Sequence, residues 1–409
     1  MRIAFISQVY PPMVSGAALM VERLAEGMAS RGHSVLVLTA SDVGAPTRTE
    51  TGNLTLVRFR SHRNPLRVGQ RLSLWPHRKM LTALAAFAPD IIHSHDPLQY
   101  ALSALDYSRG FKKPHVLTIH QLPWFVSSYL PDQSVLRQAV EACLWAYARW
   151  LLKKFSLVIL PAQTTADIVS RQTGFVPKVV SNGVDTGIFH PGPLEVHTEA
   201  ALRSRLGIPP GVPIILHLGR LDADKRADIA IQAAASSMQK SPAHLLVVGD
   251  GTRRPDLMRL CSELGIQGRS HFTGFVSPEG GLADIYRLAT VFVTASEIEN
   301  QSLVQLEVAA SALPIVAVNA GGTPELVHHG VNGLLAEPQD ASQLSAHLIW
   351  LLSNPGQAKA MGQAGRAFAM QHASQQTLAA HENLYRALLP ATGVIPAIKA
   401  IGLHRPISG

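Results

Sequence analysis

The sequence predicts an α/β protein made of two doubly wound, Rossmann-like domains with parallel sheets. Short apolar runs such as Ile3–Ser7 and Pro213–Leu218 alternate with amphipathic stretches along the chain. Continuously apolar strands of this kind are typical of parallel sheets that are covered by helices on both faces. The alternation occurs as two series separated by a Gly- and Pro-rich stretch. A length of 409 residues also favours more than one domain.

In the first series, apolar runs bounded by turn residues predict strands, and helical periodicity between them predicts helices. The predicted strands are Ile3–Ser7, Ser34–Thr39, Leu54–Phe59, Asp90–His93, His115–Ile119, Leu157–Leu160 and Lys178–Ser181. The predicted helices are Ala17–Ser30, His77–Phe87 and Ser134–Lys154.

The second series repeats this pattern without detectable sequence similarity to the first. Its predicted strands are Pro213–Leu218, His244–Val248, Ser270–Thr273, Val291–Ala295, Pro314–Val318 and Gly333–Leu335. Its predicted helices are Ala227–Gln239, Pro255–Glu263, Gly281–Leu288, Leu303–Ser311, Ala341–Leu352 and Gln357–Gln371.

The stretch Ser181–Pro193 is rich in Gly, Pro, Asn and Asp, so we place a hinge near Gly187. The predicted domains are residues 1–186 and 187–375. A final helix, Ser374–Leu389, follows the last strand and is long enough to reach back over the first domain. Residues 376–409 are therefore assigned to a third, returning segment.

Positive charge is concentrated in the first half, where residues 1–190 hold 20 Lys and Arg against 11 Asp and Glu. No acidic residue lies between Glu50 and Asp90. Within this region, Pro65–Trp75 combines cations with apolar residues and could lie on anionic lipid headgroups. The alternative is a solvated basic face beside a cleft for an anionic substrate. No motif for reading nucleic acid accompanies these cations, so we expect no nucleic-acid partner.

Nothing in the sequence indicates secretion or a membrane span. Cys143 and Cys261 have neither metal-binding nor redox spacing, and both are expected to be buried thiols in a reducing compartment. The first residues form a strand rather than a signal segment, and no apolar run is long enough to cross a bilayer. We expect a cytoplasmic protein that can be peripheral on the cytoplasmic face of a membrane.

Two glutamates, Glu299 and Glu307, mark the most informative stretch. Glu299 follows a predicted strand, and Glu307 lies two turns into the next helix. Ligands of open α/β sheets bind at the carboxyl ends of strands. The helix N-terminus offers the backbone N–H groups of Ser302, Leu303 and Val304 to an anion. Two carboxylates beside an anion site suit a sugar joined to a nucleotide diphosphate, although a capped surface helix with one buried acid is the alternative.

Two cations, Arg220 and Lys225, follow the first strand of the second domain after a glycine. Arg supplies a fork of donors and Lys a compact charge, as a departing diphosphate requires. The alternative is a solvated loop in which they pair with Asp222 and Asp224. The acid-x-acid pattern of these two aspartates is typical of metal-dependent sugar transfer. Because it lies between two cations, we interpret it as unrelated to a metal.

The first domain contributes two candidate residues at strand ends. Gly16 opens the first helix and allows close approach of a phosphate or sugar. His120 ends a strand and could act as a general base, a proton relay or a hydroxyl donor, or could be structural. His93 and His95 have the spacing of a metal pair, but without an evident third ligand we assign them to packing. No complete dinucleotide fingerprint is present, which argues against a dehydrogenase.

Taken together, these residues resemble the retaining glycosyltransferases of family 4, which have the GT-B architecture of two Rossmann-like domains facing a cleft. The resemblance covers nearly the whole chain. It rests on the Pro-Pro loop before Gly16, the Asp90–His95 and Ser181–Asp185 stretches, His120, Gly219-Arg220 with Lys225, Val248–Gly251, Phe272–Phe275, the Glu299 and Glu307 pair, and Gly321–Glu325.

The resemblance implies a hexosyltransferase that uses a UDP- or GDP-linked sugar and a hydroxyl acceptor, retains the anomeric configuration, and needs no metal or other cofactor. It implies that Arg220, Lys225 and the N–H groups of Ser302 to Val304 hold the diphosphate. Glu307 would bind ribose and Glu299 the donor sugar. The remaining implied site residues are Phe275 and Val276 beside the base, and Gly16 and His120 from the other domain.

Three departures from the family pattern bear on specificity. Asn300-Gln301-Ser302 replaces the usual Gly-Phe-Gly, Arg226 stands where Gly is usual, and the first-domain loop has a single glycine, Gly16. The first of these resembles the branch that glycosylates diacylglycerol or other lipid carriers. A lipid-linked acceptor, read by the loops Leu122–Leu130 and Arg60–Trp75, is therefore expected. A non-catalytic sugar-nucleotide binder and a GT-B epimerase are the alternatives.

Overall fold

A computed structural model describes residues 1–13, 15–64, 70–122, 135–277 and 280–389. Four predicted features extend outside these ranges: residues 65–69 of the basic segment, residues 123–130 of the acceptor loop, Ser134 at the start of a predicted helix, and the tail 390–409. Within the described ranges the chain forms two large sheets with helices on both faces, and the predicted fold class is confirmed.

The first sheet contains eight strands among the described residues, in the order β10-β9-β8-β7-β1-β2-β4-β3. All neighbours are parallel except β3 and β4. The strands are β1 (Arg2–Ile6), β2 (Ser34–Ala40), β3 (Thr47–Thr51), β4 (Leu54–Phe59), β7 (Ile91–Ser94), β8 (His115–Thr118), β9 (Leu157–Leu160) and β10 (Lys178–Val179); a separate hairpin joins β5 (His62–Arg63) and β6 (Arg71–Leu72). The helices are α1 (Gly16–Ser30), α2 (His77–Phe87), α3 (Gln99–Phe111), α4 (Val135–Leu152) and α5 (Gln163–Thr173).

Alternation along β1 shows why this sheet is covered on both faces. Ile3 and Phe5 are fully buried in the core under α1, whereas Ala4 and Ile6 are fully buried in the core under α2 and α3. Each face therefore removes apolar surface from water, which is the main force that stabilises such a layered fold.

The second sheet is entirely parallel, and its six strands within the described ranges have the order β13-β12-β11-β14-β15-β16. The strands are β11 (Ile214–Leu218), β12 (His244–Val248), β13 (Ser270–Gly274), β14 (Val291–Val293), β15 (Ile315–Val318) and β16 (Gly333–Ala336). The helices are α6 (Val196–Leu206), α7 (Ala227–Met238), α8 (Arg254–Glu263), α9 (Leu282–Leu288), α10 (Leu303–Ala310), α11 (Thr323–Leu326), α12 (Ala341–Ser353), α13 (Pro355–Met370) and α14 (Ser374–Leu388).

The C-terminal helix α14 packs against the first domain. Gly27 of α1 allows close contact, because a Cβ at that position would lie 2.5 Å from Leu378 Cδ2. Glu382 of α14 pairs with Arg31 at 3.0 Å and with His33 at 3.2 Å. Hydrogen bonds from Arg386, Arg31 and His33 lower the pKa of Glu382 to about 2. The chain thus returns to the domain in which it began.

Helix α4 is only partly packed on the first domain. Its buried residues are Trp145, Leu151 and Leu152, whereas none of residues 135–144 is buried. Cys143 is exposed, so its predicted burial is wrong; Cys261 is buried, as predicted. The periodicity of α4 predicted the helix correctly, but it did not reveal that the N-terminal half extends away from the core.

A group of buried histidines lies where α14 meets the first sheet. His93 Nδ1 lies 2.6 Å from the Tyr385 hydroxyl, and His95 Nδ1 lies 3.0 Å from His120 Nε2. Burial lowers the pKa of His120 and His381 to about 4, and lowers the pKa of His93 and His95 well below the ordinary value. The charges of neighbouring histidines add to this effect at His93, His95 and His120. These side chains are therefore neutral at neutral pH.

Because these histidines are neutral in the folded protein, we expect the protein to lose stability in mild acid. An unfolded histidine takes up a proton at about pH 6.5. In the folded protein the pKa is about 4 for His120 and His381, and it lies well below the ordinary value for His93 and His95. Between these limits the unfolded state binds more protons, so each histidine lowers the free energy of unfolding by up to about 1.4 kcal/mol per pH unit. Urea unfolding at pH 7.5 and at pH 5 measures this slope.

The matched variants for this test are His381→Phe and His197→Gln. His381→Phe replaces one member of the buried group and should make the slope shallower. His197 is exposed, and its replacement should leave the slope as in the wild type. An identical slope in His381→Phe would contradict the explanation.

Candidate active site

The site lies where β11 and β14 are adjacent in the second sheet. From β11 the chain proceeds to β12 and β13 on one side, and then crosses to β14, β15 and β16 on the other. The order of strands therefore reverses between β11 and β14, which is the position at which open α/β sheets form a ligand crevice. The segments that follow these two strands carry the predicted cations and glutamates.

Lys225 and Glu299 are brought together across this crevice. Lys225 ends a 3₁₀ turn (Ala223–Lys225) after β11, and its Nζ lies 2.6 Å from Glu299 Oε1 in the loop after β14. Their side chains are 22% and 14% exposed. Because solvent only partly screens this pair, it holds the cation and the carboxylate in one defined arrangement.

Arg220 lies in the same loop as Lys225 and is paired as well. Its guanidinium donates to Asp222 and, at 2.8 Å, to Asp224, whose side chain is only 2% exposed. The alternative considered from the sequence, local pairing with the two aspartates, is thus the arrangement found. The carboxylates of the acid-x-acid pattern are turned toward Arg220, which they orient.

Arg226 adopts a left-handed backbone conformation, with φ of 46°. Glycine adopts such a conformation at a lower cost in conformational free energy. This explains why glycine is usual at this position in the family that the chain resembles. The Arg226 guanidinium contacts Glu297 and Asp228, each at 3.4 Å. The third cation of this loop therefore joins the segments after β11 and β14, as Lys225 does.

Helix α10 begins beside Glu299. The Ser302 hydroxyl accepts from the Gln305 N–H at 3.3 Å and caps the helix. The N–H groups of Leu303 and Val304, in its first turn, have no acceptor within the helix. They remain candidates for binding an anion, as predicted.

Glu307 has two protein partners that the sequence did not predict. Arg23 of α1, in the first domain, donates to Glu307 Oε1 at 2.9 Å, and the Tyr286 hydroxyl donates to Oε2 at 3.0 Å. Burial raises the pKa of Glu307, and the adjacent Arg23 opposes this effect. In this conformation both carboxylate oxygens are engaged within the protein. A ribose would have to replace one of these partners.

The first-domain candidates face the same region. A Cβ on Gly16 would lie 3.7 Å from Leu303 Cδ1, so this glycine is adjacent to the first turn of α10. The backbone carbonyl of His120 accepts from Asn300 Nδ2 at 2.8 Å. The His120 ring is directed to His95 instead. His120 thus contacts the Glu299 loop, and Gly16 lies against the helix that follows this loop.

The Asn-Gln-Ser departure from the family pattern forms contacts of its own. Gln301 is buried, and its Oε1 accepts from the Asn182 N–H at 2.7 Å and from the Ser181 hydroxyl at 3.0 Å. Asn182 Nδ2 donates back to the Gln301 carbonyl at 3.0 Å. The residue that replaces phenylalanine therefore attaches the Glu299 loop to the hinge. No periodic pattern in the sequence indicates this attachment.

Phe275 and Val276 lie farther along the same edge of the sheet. They follow β13, the outermost strand, and Phe275 is 53% exposed while Val276 packs on the core. Their position is separated from Lys225 by the end of β12. No hydrogen bond or ion pair described for the site involves these two side chains.

Two protein families match the chain. “Glycosyltransferase Family 4” matches residues 14–187, and “Glycosyl transferases group 1” matches residues 198–368. The chain is 30% identical over 342 residues to a GDP-mannose-dependent alpha-mannosyltransferase of Mycobacterium tuberculosis, which covers 82% of this chain and 83% of that protein. It is 28% identical over 321 residues to the alpha-monoglucosyldiacylglycerol synthase of Streptococcus pneumoniae, covering 78% and 71%.

Solved structures show the same fold. Sucrose-phosphate synthase from Thermosynechococcus elongatus superimposes with a TM-score of 0.76 at 24% identity, covering 95% of this chain and 98% of that chain. Anabaena HepE in complex with UDP-glucose gives a TM-score of 0.74 at 20% identity, covering 95% and 100%. With one matched family over each half and relatives along most of its length, the chain belongs to glycosyltransferase family 4.

Proposed function

We propose that this glycosyltransferase moves a hexose from a nucleotide-diphosphate sugar to a hydroxyl of a lipid or lipid-linked acceptor at an anionic membrane surface. The observation that carries the donor half is the pairing of Lys225 with Glu299 beside Arg220 and the first turn of α10. Cations and free N–H groups suit a diphosphate, and a carboxylate suits the hydroxyls of the attached sugar.

In this proposal Arg220 and Lys225 exchange their carboxylate partners for diphosphate oxygens when the donor binds. The bond between the anomeric carbon and the diphosphate oxygen breaks, and the acceptor oxygen bonds to that carbon on the same face. The departing oxygen takes the acceptor proton, so the configuration is retained without a protein nucleophile. Glu299 binds the sugar where positive charge develops, and His120 and Gly16 close the site from the first domain.

We also propose that the reaction needs no metal, because Arg220 and Lys225 already supply positive charge at the leaving group. We assign Glu307 to the ribose, which would replace Arg23 as a partner of this carboxylate. We assign Phe275 and Val276 to the base. The related proteins include one named for GDP-mannose, and a solved neighbour holds UDP-glucose. Both nucleotides therefore belong in a donor screen. Nucleotide release is measured for each donor with and without a lipid acceptor, in buffer containing EDTA. This experiment tests transfer, metal independence and donor choice together.

The acceptor half of the proposal rests on the exposed edge of the first domain. Val135 and Leu136, at the start of α4, are 82% and 59% exposed. Leu74 and Trp75 are exposed just before α2, and exposed Arg78 and Lys79 follow in its first turn. Apolar side chains beside cations suit a membrane interface. No helix in the described ranges is long and apolar enough to cross a bilayer.

The family and the relatives named as transferases disfavour the alternatives of a non-catalytic binder and an epimerase. The donor screen distinguishes all three. A binder releases no nucleotide, and an epimerase changes the sugar without an acceptor.

Glu299→Ala and Lys225→Ala should each lower turnover by on the order of 100-fold, because each removes a group that contacts charge in the transition state. The turnover of each variant is measured as its initial rate of nucleotide release. The control is Glu263→Ala on α8, whose carboxylate is 61% exposed and pairs only at the surface, with Arg259. Near-normal turnover in both site variants would exclude this site.

Replacing Val135 and Leu136 together by Glu should weaken sedimentation with anionic vesicles by about 10-fold or more, since burial of such side chains is worth about 1.5–3 kcal/mol each. Val176→Glu provides the control, because Val176 is 81% exposed but follows α5 elsewhere in the domain. Equal sedimentation of the wild type with neutral and anionic lipid would refute the membrane proposal.

A further inference from the structure

The N-terminus of α5, in the first domain, is capped by a residue of the second domain. Glu325 of α11 accepts the Gln163 N–H at 2.8 Å with one carboxylate oxygen and the Thr164 N–H with the other. The α5 N-cap residue, Ala162, has no side chain that could do this. The first N–H groups of a helix lack partners and carry partial positive charge. A carboxylate is therefore a well-matched cap.

The segment that carries Glu325 also supports the Glu299 loop. The Gly322 N–H donates to the Glu299 carbonyl at 2.8 Å. A Cβ on Gly322 would lie 1.7 Å from the Asn300 carbonyl oxygen, and one on Gly321 would lie 2.6 Å from that of Glu299. Only glycines allow the two backbones to approach this closely. Gly322, which supports the Glu299 loop, thus lies only three positions before Glu325, which caps α5 of the other domain.

A second bond holds this segment in place. The Thr323 hydroxyl accepts from Gln305 Nε2 of α10 at 3.1 Å, and both residues are buried. Movement of Glu325 relative to its own domain is thereby restricted. Separation of the two domains would have to break the cap on α5 or displace the segment that supports Glu299.

We propose that Glu325 is a positioning residue that links domain closure to the placement of Glu299. This role rests on the proposed transferase function, in which Glu299 contacts the donor sugar. Glu325 itself contacts backbone N–H groups of the first domain. When the domains are closed, the cap on α5 fixes the Gly321–Glu325 segment and, through the Gly322 N–H, the Glu299 backbone. When they open, this constraint is lost while the nucleotide-binding groups of the second domain stay intact.

Two variants remove the cap from opposite sides. Glu325→Gln keeps the size of the side chain but presents an NH₂ group to one of the two backbone N–H groups. Gln163→Pro removes one N–H group at the first position of α5, where proline is tolerated. Ala162 is extended, with φ of −135° and ψ of 146°, as the residue before proline requires. Gln163→Ala is the matched control, because it removes the side chain and keeps the N–H.

The readouts are kcat with the donor identified by the screen, the affinity for UDP and for GDP, and the distance between spin labels on the two domains. Glu325→Gln and Gln163→Pro should each lower kcat by about 10-fold, as expected for loss of a hydrogen bond to a charged group. The nucleotide affinity should stay within about 2-fold of the wild-type value, because neither substitution changes a group that binds the nucleotide equally in the ground state and the transition state. Both variants should broaden the label distances toward longer values. Gln163→Ala should match the wild type.

The double variant should be no slower than the slower single variant, because both substitutions break one contact. The proposal is overturned by an unchanged kcat in Glu325→Gln, by equal losses in Gln163→Ala and Gln163→Pro, or by a parallel fall in nucleotide affinity. The label distances do not depend on turnover. If the wild type transferred no sugar but the distances still responded to Glu325→Gln, the proposed function would fail while the domain link stood.

Discussion

The proposed donor site depends on the ion pair between Lys225 and Glu299, which joins the segments following two adjacent strands. Removing a half-buried charge from its partner is costly, so each group holds the other at the crevice. Arg220 is held in the same way by Asp222 and Asp224. The free site is therefore a set of neutralised pairs. A diphosphate can bind by replacing carboxylates at cations that are already in position, with little reorganisation.

A second property of the molecule is that the Glu299 loop and α10 are attached to the first domain at several points. Asn300 contacts His120, Gln301 contacts Ser181 and Asn182, and Glu307 contacts Arg23. These contacts involve polar side chains at positions where the family commonly has glycine or phenylalanine, or where a ligand is expected. The loop that would hold the sugar is thus placed by both domains, which gives a physical reason for the site to be complete only when the domains are closed.

Much of the fold could be predicted, because continuous apolar strands and helical periodicity are local signals. The proximity of Lys225 to Glu299 followed from strand ends meeting at one sheet edge. Their direct ion pair was not predicted. Strand β3 was missed because all five of its residues are exposed and show no apolar alternation. The partners of Glu307 and Glu325 were missed for a different reason. Arg23 and Gln163 are distant in sequence and belong to the other domain, so their contacts depend on how the domains are oriented, for which no periodic pattern exists. The exposed half of α4 also has an apolar composition that suggests burial.

A crystal structure with a bound nucleoside diphosphate would show whether Lys225 and Arg220 hold the leaving group. We expect the terminal phosphate to lie against Lys225 Nζ, the Arg220 guanidinium and the N–H groups of Leu303 and Val304, with the carboxylates of Asp222 and Asp224 released from Arg220. A diphosphate bound elsewhere, with the Lys225–Glu299 and Arg220–Asp224 pairs unchanged, would contradict this expectation.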